Sequence, residues 1–387
     1  MTDMHAVGTE HSGEGATDLW YTRTPEQESM QESARGFVAQ YAPVERLLDQ
    51  GEHEARAPEA LWKLLNEQIG GQAILIPEEY GGMGLGMEEF CVLLEEVGAQ
   101  LSFPSLFPTM AQAVPLLLLS ADAGAKDSWL SRVAAGDATA SVAYLSQAGQ
   151  PLSPGVRARQ RGLDWYLGGS ASFVLDANSC DVLLVLAMTD DGLGVFAVEP
   201  EGAGVSSHPV ESIDPSCPMA NVSFRNVAAA PIDFDRPVAA AIERMSDISS
   251  VYLAAEQVGG AGACLQMAVS YAMQREQFGR PIGSFQAIQH MCADAHIAIE
   301  GARSTLYYAT WAYEEDSPEF PLAASAAKVA CSDAFLSAAA MNIQVHGTIG
   351  YTREHKAQLY YRRAKWSQLY GGTPSQHRSR IADLLGV

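Results

Sequence analysis

Apolar positions along this chain follow two different spacings, and the places where the spacing changes divide it into parts. From Pro25 to about Tyr41, from Pro58 to Ile69 and from Met87 to Gln100, apolar residues recur every three or four positions, as on one face of a helix. Thr24-Pro25-Glu26 predicts the first helix start, with a capping hydroxyl, a proline in the first turn and an acid at the positive end of the dipole. Leu106 to Ser120 and Lys126 to Ala135 read as further helices. Near Asp137 the spacing shortens. Thr139–Leu145, Leu163–Leu167, Ala171–Val174, Val182–Met188, Gly194–Val198, Val205–Pro209 and Met219–Phe224 are short, Val-rich and punctuated by turn residues, as in a small all-β unit. From Pro237 the helical spacing returns over Ala239–Gln277, Phe285–Glu314, Pro321–His346, Arg353–Leu369 and Pro374–Leu385. Four long antiparallel helices predict a bundle. The expected class is therefore α+β, with a disordered tail over 1–18, a helical domain over 19–136, a β-barrel-like domain over 137–237 and a helical bundle over 238–387.

Composition narrows the partners. Lys plus Arg number 24 against 46 Asp plus Glu, a net charge of −22, which argues against a nucleic-acid surface. Any site for an anionic ligand must then be a local exception, with Arg275, Arg280, Arg353, Arg362 and Arg363 as candidates. Six scattered cysteines without a C-x-x-C pair fit reduced thiols and a cytoplasmic protein, and no zinc pattern is visible. The longest apolar run, Ala113–Leu119, contains Pro115 and is too short to cross a bilayer, so no membrane insertion is expected.

The stretch richest in chemistry is Tyr271 to Arg303. The expectation is a helix that runs out at Phe278 and stops at Gly279, a bend held by Pro281 and Gly283, and a second helix capped by Ser284. Arg275 suits a phosphate, because a guanidinium holds two oxygens in one plane. Phe278 adds a ring and Gln286 an amide, a set that suits a dinucleotide. The segment R-E-Q-F-G-R-P-I-G-S-F-Q-A-I-Q-H, starting at Arg275, resembles the flavin-contacting helix-turn of acyl-CoA dehydrogenases. Q-V-H-G-T-I-G-Y, starting at Gln344, resembles that family's Q-x-x-G-G-x-G-Y/F segment. The likeness runs from about Pro25 to the C-terminus and is weakest in the middle. It agrees with the order of helices, β domain and bundle.

The resemblance implies FAD as cofactor and an acyl-CoA as substrate. A base takes the α-proton, the β-hydride goes to the flavin, and an electron-transfer flavoprotein accepts the electrons. It implies an oligomer, homomeric or heteromeric and most simply a tetramer, because Arg275, Gln277, Phe278 and Gln344 would reach a neighbouring subunit's flavin. Phe285, Gln286, Gly347 and Thr348 belong to the same two motifs. His346 either donates to the pyrophosphate or caps a helix end. The loop Pro77-Glu78-Glu79-Tyr80-Gly81-Gly82 resembles one in the family's N-terminal domain. Phe173 either stands where an aromatic covers the ring or is a core residue of the β domain, and Thr373 and Ser375 match residues near the flavin, with Pro374 read as an insertion. Tyr144-Leu145-Ser146-Gln147-Ala148-Gly149 departs from the family's Thr-Glu…Gly-Ser-Asp run.

The base is the sharpest departure. Where most members carry Tyr-Glu-Gly-Thr, this chain has Tyr370-Gly371-Gly372-Thr373, so Gly371 replaces the glutamate. The alternative base position on the long helix falls on Ser249, beside Ser250. Glu256 lies two helical turns further along the same face, about 10 Å away, among Ala, Val and Gly. A carboxyl buried there resists ionisation and suits a base; equally, it suits a structural acid paired with an arginine. Asp247 and Asp294 read as solvated or capping. Gly371 and the segments G-G-S-A-S-F and Y-T-R-E-H resemble a bacterial subgroup acting on bulky acyl-CoAs, steroid side chains included, often as complexes of two different subunits. Two functions follow as expectations: an acyl-CoA dehydrogenase using Glu256 or a partner's acid, or a base-lacking subunit that completes a partner's flavin site. A flavin enzyme acting on a carrier-protein-bound acyl group is a third.

Overall fold

The computed structural model describes residues 23–49 and 59–387. The tail expected over 1–18 and the helix start expected at Pro58 lie outside them. Helices come first: α1 (Pro25–Tyr41), α2 (Arg46–Asp49), α3 (Glu59–Ile69), α4 (Met87–Ala99), α5 (Val114–Leu118) and α6 (Ala123–Ala134). Thr24 caps α1 as expected, in a capping box closed by the Gln27 side chain. The single helix expected over Leu106–Ser120 is instead a wide π turn, Phe107–Ala113, that runs into α5. Pro115 supplies part of the reason. It has no N–H for the carbonyl of Ala111, and that carbonyl accepts from Ser249 Oγ at 2.7 Å.

Seven strands follow: β1 (Ala140–Ala143), β2 (Val156–Arg161), β3 (Asp164–Leu175), β4 (Val182–Thr189), β5 (Gly192–Val198), β6 (Val205–Val210) and β7 (Met219–Ile232). The order is β1-β4-β2-β3-β7-β5, with β6 on β7, and β5 also pairs β4, so the sheet closes on itself. The sequence pattern does not predict strand β2. Its residues V-R-A-R-Q-R read as polar, but Val156 and Ala158 face the barrel core while the arginines face out. Two of the expected runs, Leu163–Leu167 and Ala171–Val174, are one strand. The Gly168-Gly169-Ser170 interruption is carried through by pairing with both β2 and β7.

The last part is α7 (Val238–Gln274), α8 (Gln286–Glu314), α9 (Phe320–His346), α10 (Ala357–Leu369) and α11 (Pro374–Leu385). Helix α10 starts at Ala357, later than the expected Arg353, because a turn closed by the His355 N–H on the Thr352 carbonyl precedes it. Helix α7 ends at Gln274, before Phe278. A two-residue ribbon, Glu276–Gln277 against Arg280–Pro281, turns through Phe278 (φ 54°) and Gly279 (φ 76°). Two successive positive φ values make the tight hairpin turn that a helix end cannot supply. Ser284 does not cap α8; its hydroxyl donates to the Pro281 carbonyl at 2.7 Å.

Helices α4 and α7 cross at their glycines. A Cβ on Gly98 would lie 2.1 Å from the Glu256 carbonyl oxygen, and one on Gly259 would lie 1.8 Å from that of Glu95. By length and composition α9 could cross a membrane. It packs instead against α7, α8 and α10 as a core helix. All six cysteines are free, five of them buried. Together the elements form an N-terminal helical domain, a closed β unit and a C-terminal helical bundle.

Candidate active-site cleft and dinucleotide turn

A cleft of about 970 Å³ opens between the β unit, α7 and the segment joining α10 to α11. Ile242, Ser246, Ser249, Ser250 and Leu253 bring one face of α7 to it, at helical spacing. Phe173 enters from β3 at φ 55°, inside a register shift between Ala171 and Val174. Positive φ is costly for a bulky residue and often marks a functional position. Here it sets a half-buried ring on the cleft wall.

Among the described residues the cleft carries no carboxylate at either expected place. Gly371 is exposed, and a Cβ added there would meet nothing within 4 Å. The hydroxyl of Ser249 is spent on the carbonyls of Ala111 and Met245, at 2.7 and 2.8 Å. Glu256 is not on the cleft lining. Its carboxylate forms a buried ion pair with Arg363 Nη1. The same guanidinium donates to Asp214 Oδ2 at 2.5 Å and to Ser216 Oγ at 2.8 Å. A carboxylate held this way is already ion-paired and off the cleft lining, as a structural acid would be. Arg363 is 1% exposed, so it offers no basic surface, and Arg362 donates to the Ile213 carbonyl at 2.6 Å. Asp247, expected to be solvated or capping, is buried and pairs with Arg380. The carboxylates that do lie on the lining are Glu211 and Glu243, both exposed.

Several lining residues have no counterpart among the expected ones. Gln112 donates to the hydroxyls of Tyr144 and Tyr370 at 3.4 and 3.1 Å, and its Oε1 is buried without a partner. Burial pushes the Tyr144 phenol up to about 12, so it stays a proton donor. His377, on the first turn of α11, donates from Nε2 to the Gly371 carbonyl at 3.0 Å. Burial, helped by the nearby Lys328 cation, pulls its imidazole down to about 4. Lys328 is itself buried, donating to the carbonyls of Ser367 and Gln368 at the end of α10, at 2.8 and 3.4 Å. Lone polar residues on otherwise apolar faces carry no pattern, so nothing in the sequence marks them. Thr373 is the N-cap of α11 in a capping box with Gln376, and Pro374 is the first residue of that helix. Ser375 is exposed beside it.

The other expected contacts gather elsewhere. Arg275, Gln277 and Phe278 form the exposed turn after α7, with Phe278 92% exposed. Phe285 meets Phe278 edge-on, and Gln286 is exposed next to it. Gln344, Gly347 and Thr348 are exposed at the end of α9. The stacking of Tyr271 on His346, ring centroids 4.3 Å apart, joins the two motifs. His346 is 6% exposed and its Nδ1 donates to the Asn342 carbonyl at 2.8 Å, so it caps its own helix. Among the described residues Arg275 has no side-chain partner. From Ser249 to Arg275 is 26 residues of helix, roughly 39 Å. One chain therefore cannot wrap its cleft and its turn around the same dinucleotide. The set fits a flavin dinucleotide only if the turn reaches a neighbouring chain: an unpaired guanidinium, an exposed ring and exposed amides at the turn, and a ring-lined cleft elsewhere. No group of three or more His, Cys, Asp or Glu among the described residues is placed to hold a metal.

Comparison with known proteins agrees with this layout. Residues 24–137 match the model of the acyl-CoA dehydrogenase N-terminal domain, and 240–386 match that of the C-terminal domain. The chain is 32% identical to acyl-CoA dehydrogenase IpdE2 of Mycobacterium tuberculosis over 361 residues, 93% of this chain and 97% of that one. Among solved structures, it is 31% identical to a chain of a Tcur3481-Tcur3483 steroid ACAD variant. That match covers 93% of this chain and 98% of that one, with a TM-score of 0.83. It is 26% identical to a chain of the ChsE4-ChsE5 complex from Mycobacterium tuberculosis, covering 94% and 98%, with a TM-score of 0.84.

Proposed function

Because the chain belongs to the acyl-CoA dehydrogenase family, we propose that it is a subunit of an FAD-dependent enzyme oxidising a bulky acyl-CoA between its α and β carbons. In this reading its Arg275–Phe278 turn completes the flavin site of a neighbouring chain, and the carboxylate that takes the α-proton belongs to that neighbour. One observation carries the reading. Gly371 and Ser249 stand where a base would, and the nearby Glu256 is held by Arg363. The two-protein solved relatives, one of them named a steroid enzyme, support both the heteromer and the bulky acyl group.

Bound FAD supplies the hydride acceptor. Arg275 would hold the dinucleotide's phosphate, with Phe278 beside it and the amides of Gln277, Gln286 and Gln344 as hydrogen-bonding partners. These contacts would help orient the flavin of the neighbouring chain. An electron-transfer flavoprotein is the fitting acceptor. Glu243 favours a second reading, because it lines this chain's own cleft on the α7 face shared with Ser249. In that reading the chain is a complete enzyme on its own.

The absorption spectrum of the full chain purified alone separates the two. A colourless protein that turns an acyl-CoA over only after a partner is added is the expected result. A flavin that acyl-CoA bleaches in the chain alone, and that Glu243→Gln protects from bleaching, would establish the second reading.

A further inference from the structure

The outer face of the β unit carries a row of arginines. On β2, Arg157, Arg159 and Arg161 are exposed, and the first two alternate with the core residues Val156 and Ala158. Successive arginines stand about 6.8 Å apart on one face of the strand, and the row spans about 14 Å. Pairing extends the charge sideways. Arg157 lies opposite Gly168 of β3, and Gly168 lies opposite Arg225 of β7, which is exposed too. Tyr166 lies opposite Arg159, and the Arg161 guanidinium sits over its ring, 5.2 Å from the centroid. Among the described residues none of the four arginines forms an ion pair. The one acid on these three strands is Asp164, opposite Arg161. The backbone beside the row is open as well. Strand β4 pairs with β2 at Arg157 alone, so from Ala158 to Arg161 the edge of β2 away from β3 has no strand against it among the described residues. Charged side chains can guard such an edge. Arg225 does not serve that purpose, because β7 lies inside the sheet.

We propose that this face docks an extended acidic segment of another protein, which adds as a strand to the free edge of β2. An extended chain repeats its side chains on one face at the spacing of the arginines. A segment with a carboxylate at every second residue therefore meets Arg159 and Arg161 in register. Arg157 and Arg225 add to the field that draws it in. On a chain of net charge −22, an acidic partner is repelled elsewhere and attracted here, so charge sets where it lands.

The test is fluorescence anisotropy with the full chain and two labelled peptides of one composition, Thr-Glu-Val-Glu-Thr-Glu-Val-Glu and Thr-Val-Thr-Val-Glu-Glu-Glu-Glu. The alternating peptide should bind at least about fivefold more tightly than the blocked one, since only it matches the strand repeat. Arg159→Glu combined with Arg161→Glu should weaken it at least about tenfold, at unchanged circular dichroism and melting temperature. Arg275→Glu should bind it as the parent does, which separates this face from the turn after α7. Equal affinity for the two peptides overturns strand addition, and an affinity that survives the double charge reversal overturns the site. No binding at about 1 mM peptide, or tighter binding of single-stranded DNA of matching charge, overturns an acidic protein segment as the occupant.

Discussion

Arg363 shows how one side chain decides what its neighbours can do. Its guanidinium is buried against Asp214, Ser216 and Glu256, and so joins the β6–β7 loop, α7 and α10. Removing one partner of a buried charge cluster leaves the others unpaired, so Arg363→Ala should cost about 3–5 kcal/mol in denaturant unfolding. Glu256→Gln should lower stability while leaving turnover of the assembled enzyme within about tenfold. A fall of several orders of magnitude would restore Glu256 as the base. His377 makes a pH prediction. Its pKa is about 4 in the folded chain against 6.5 for an ordinary histidine. The unfolded chain therefore takes up this proton first as pH falls, and folding loses stability between pH 6.5 and 4, by about 3 kcal/mol from this group. Melting His377→Gln alongside the parent over that range should show a flatter loss.

Helix α4 meets α7 backbone to backbone, which only glycine permits at Gly98 and Gly259. Gly259→Ala must push the helices apart along a contact that contains Glu95 and Glu256, so a loss of about 3 kcal/mol or more is expected. Thermal melting will show it, and a shift under about 2 °C would mean the helices slide freely. The turn after α7 behaves differently, because Phe278 stays exposed with only the Phe285 ring against it. Substitutions there should leave the melting temperature unchanged.

The assembly turns on the roughly 39 Å between cleft and turn. Arg275→Glu should leave this chain folded yet strip flavin from the complex with its partner, measured as the flavin-to-protein ratio. Flavin retained in full would mean that the turn does not reach a neighbour's site. Arg275 is an exposed cation on a chain of net charge −22, so flavin retention should also weaken as salt rises.

Much of this was legible along the chain. The 3.6 and 2 residue periods separated helices from strands because each element buries one face, and the cap at Thr24 is a local contact between residues three apart. The family motifs were legible for the same reason: Arg275 to Phe278 is one continuous turn. What could not be read are contacts between distant residues. Glu256 and Arg363 are 107 positions apart, and Ser249 meets Ala111 across 138. Strand β2 hid behind its arginines, because period-two burial shows only once β3 and β4 lie beside it. The absence of a base at Gly371 and Ser249 was plain in the sequence. That Glu256 is paired with Arg363 was decided by packing, and a carboxylate's chemistry depends on what charge the fold places against it.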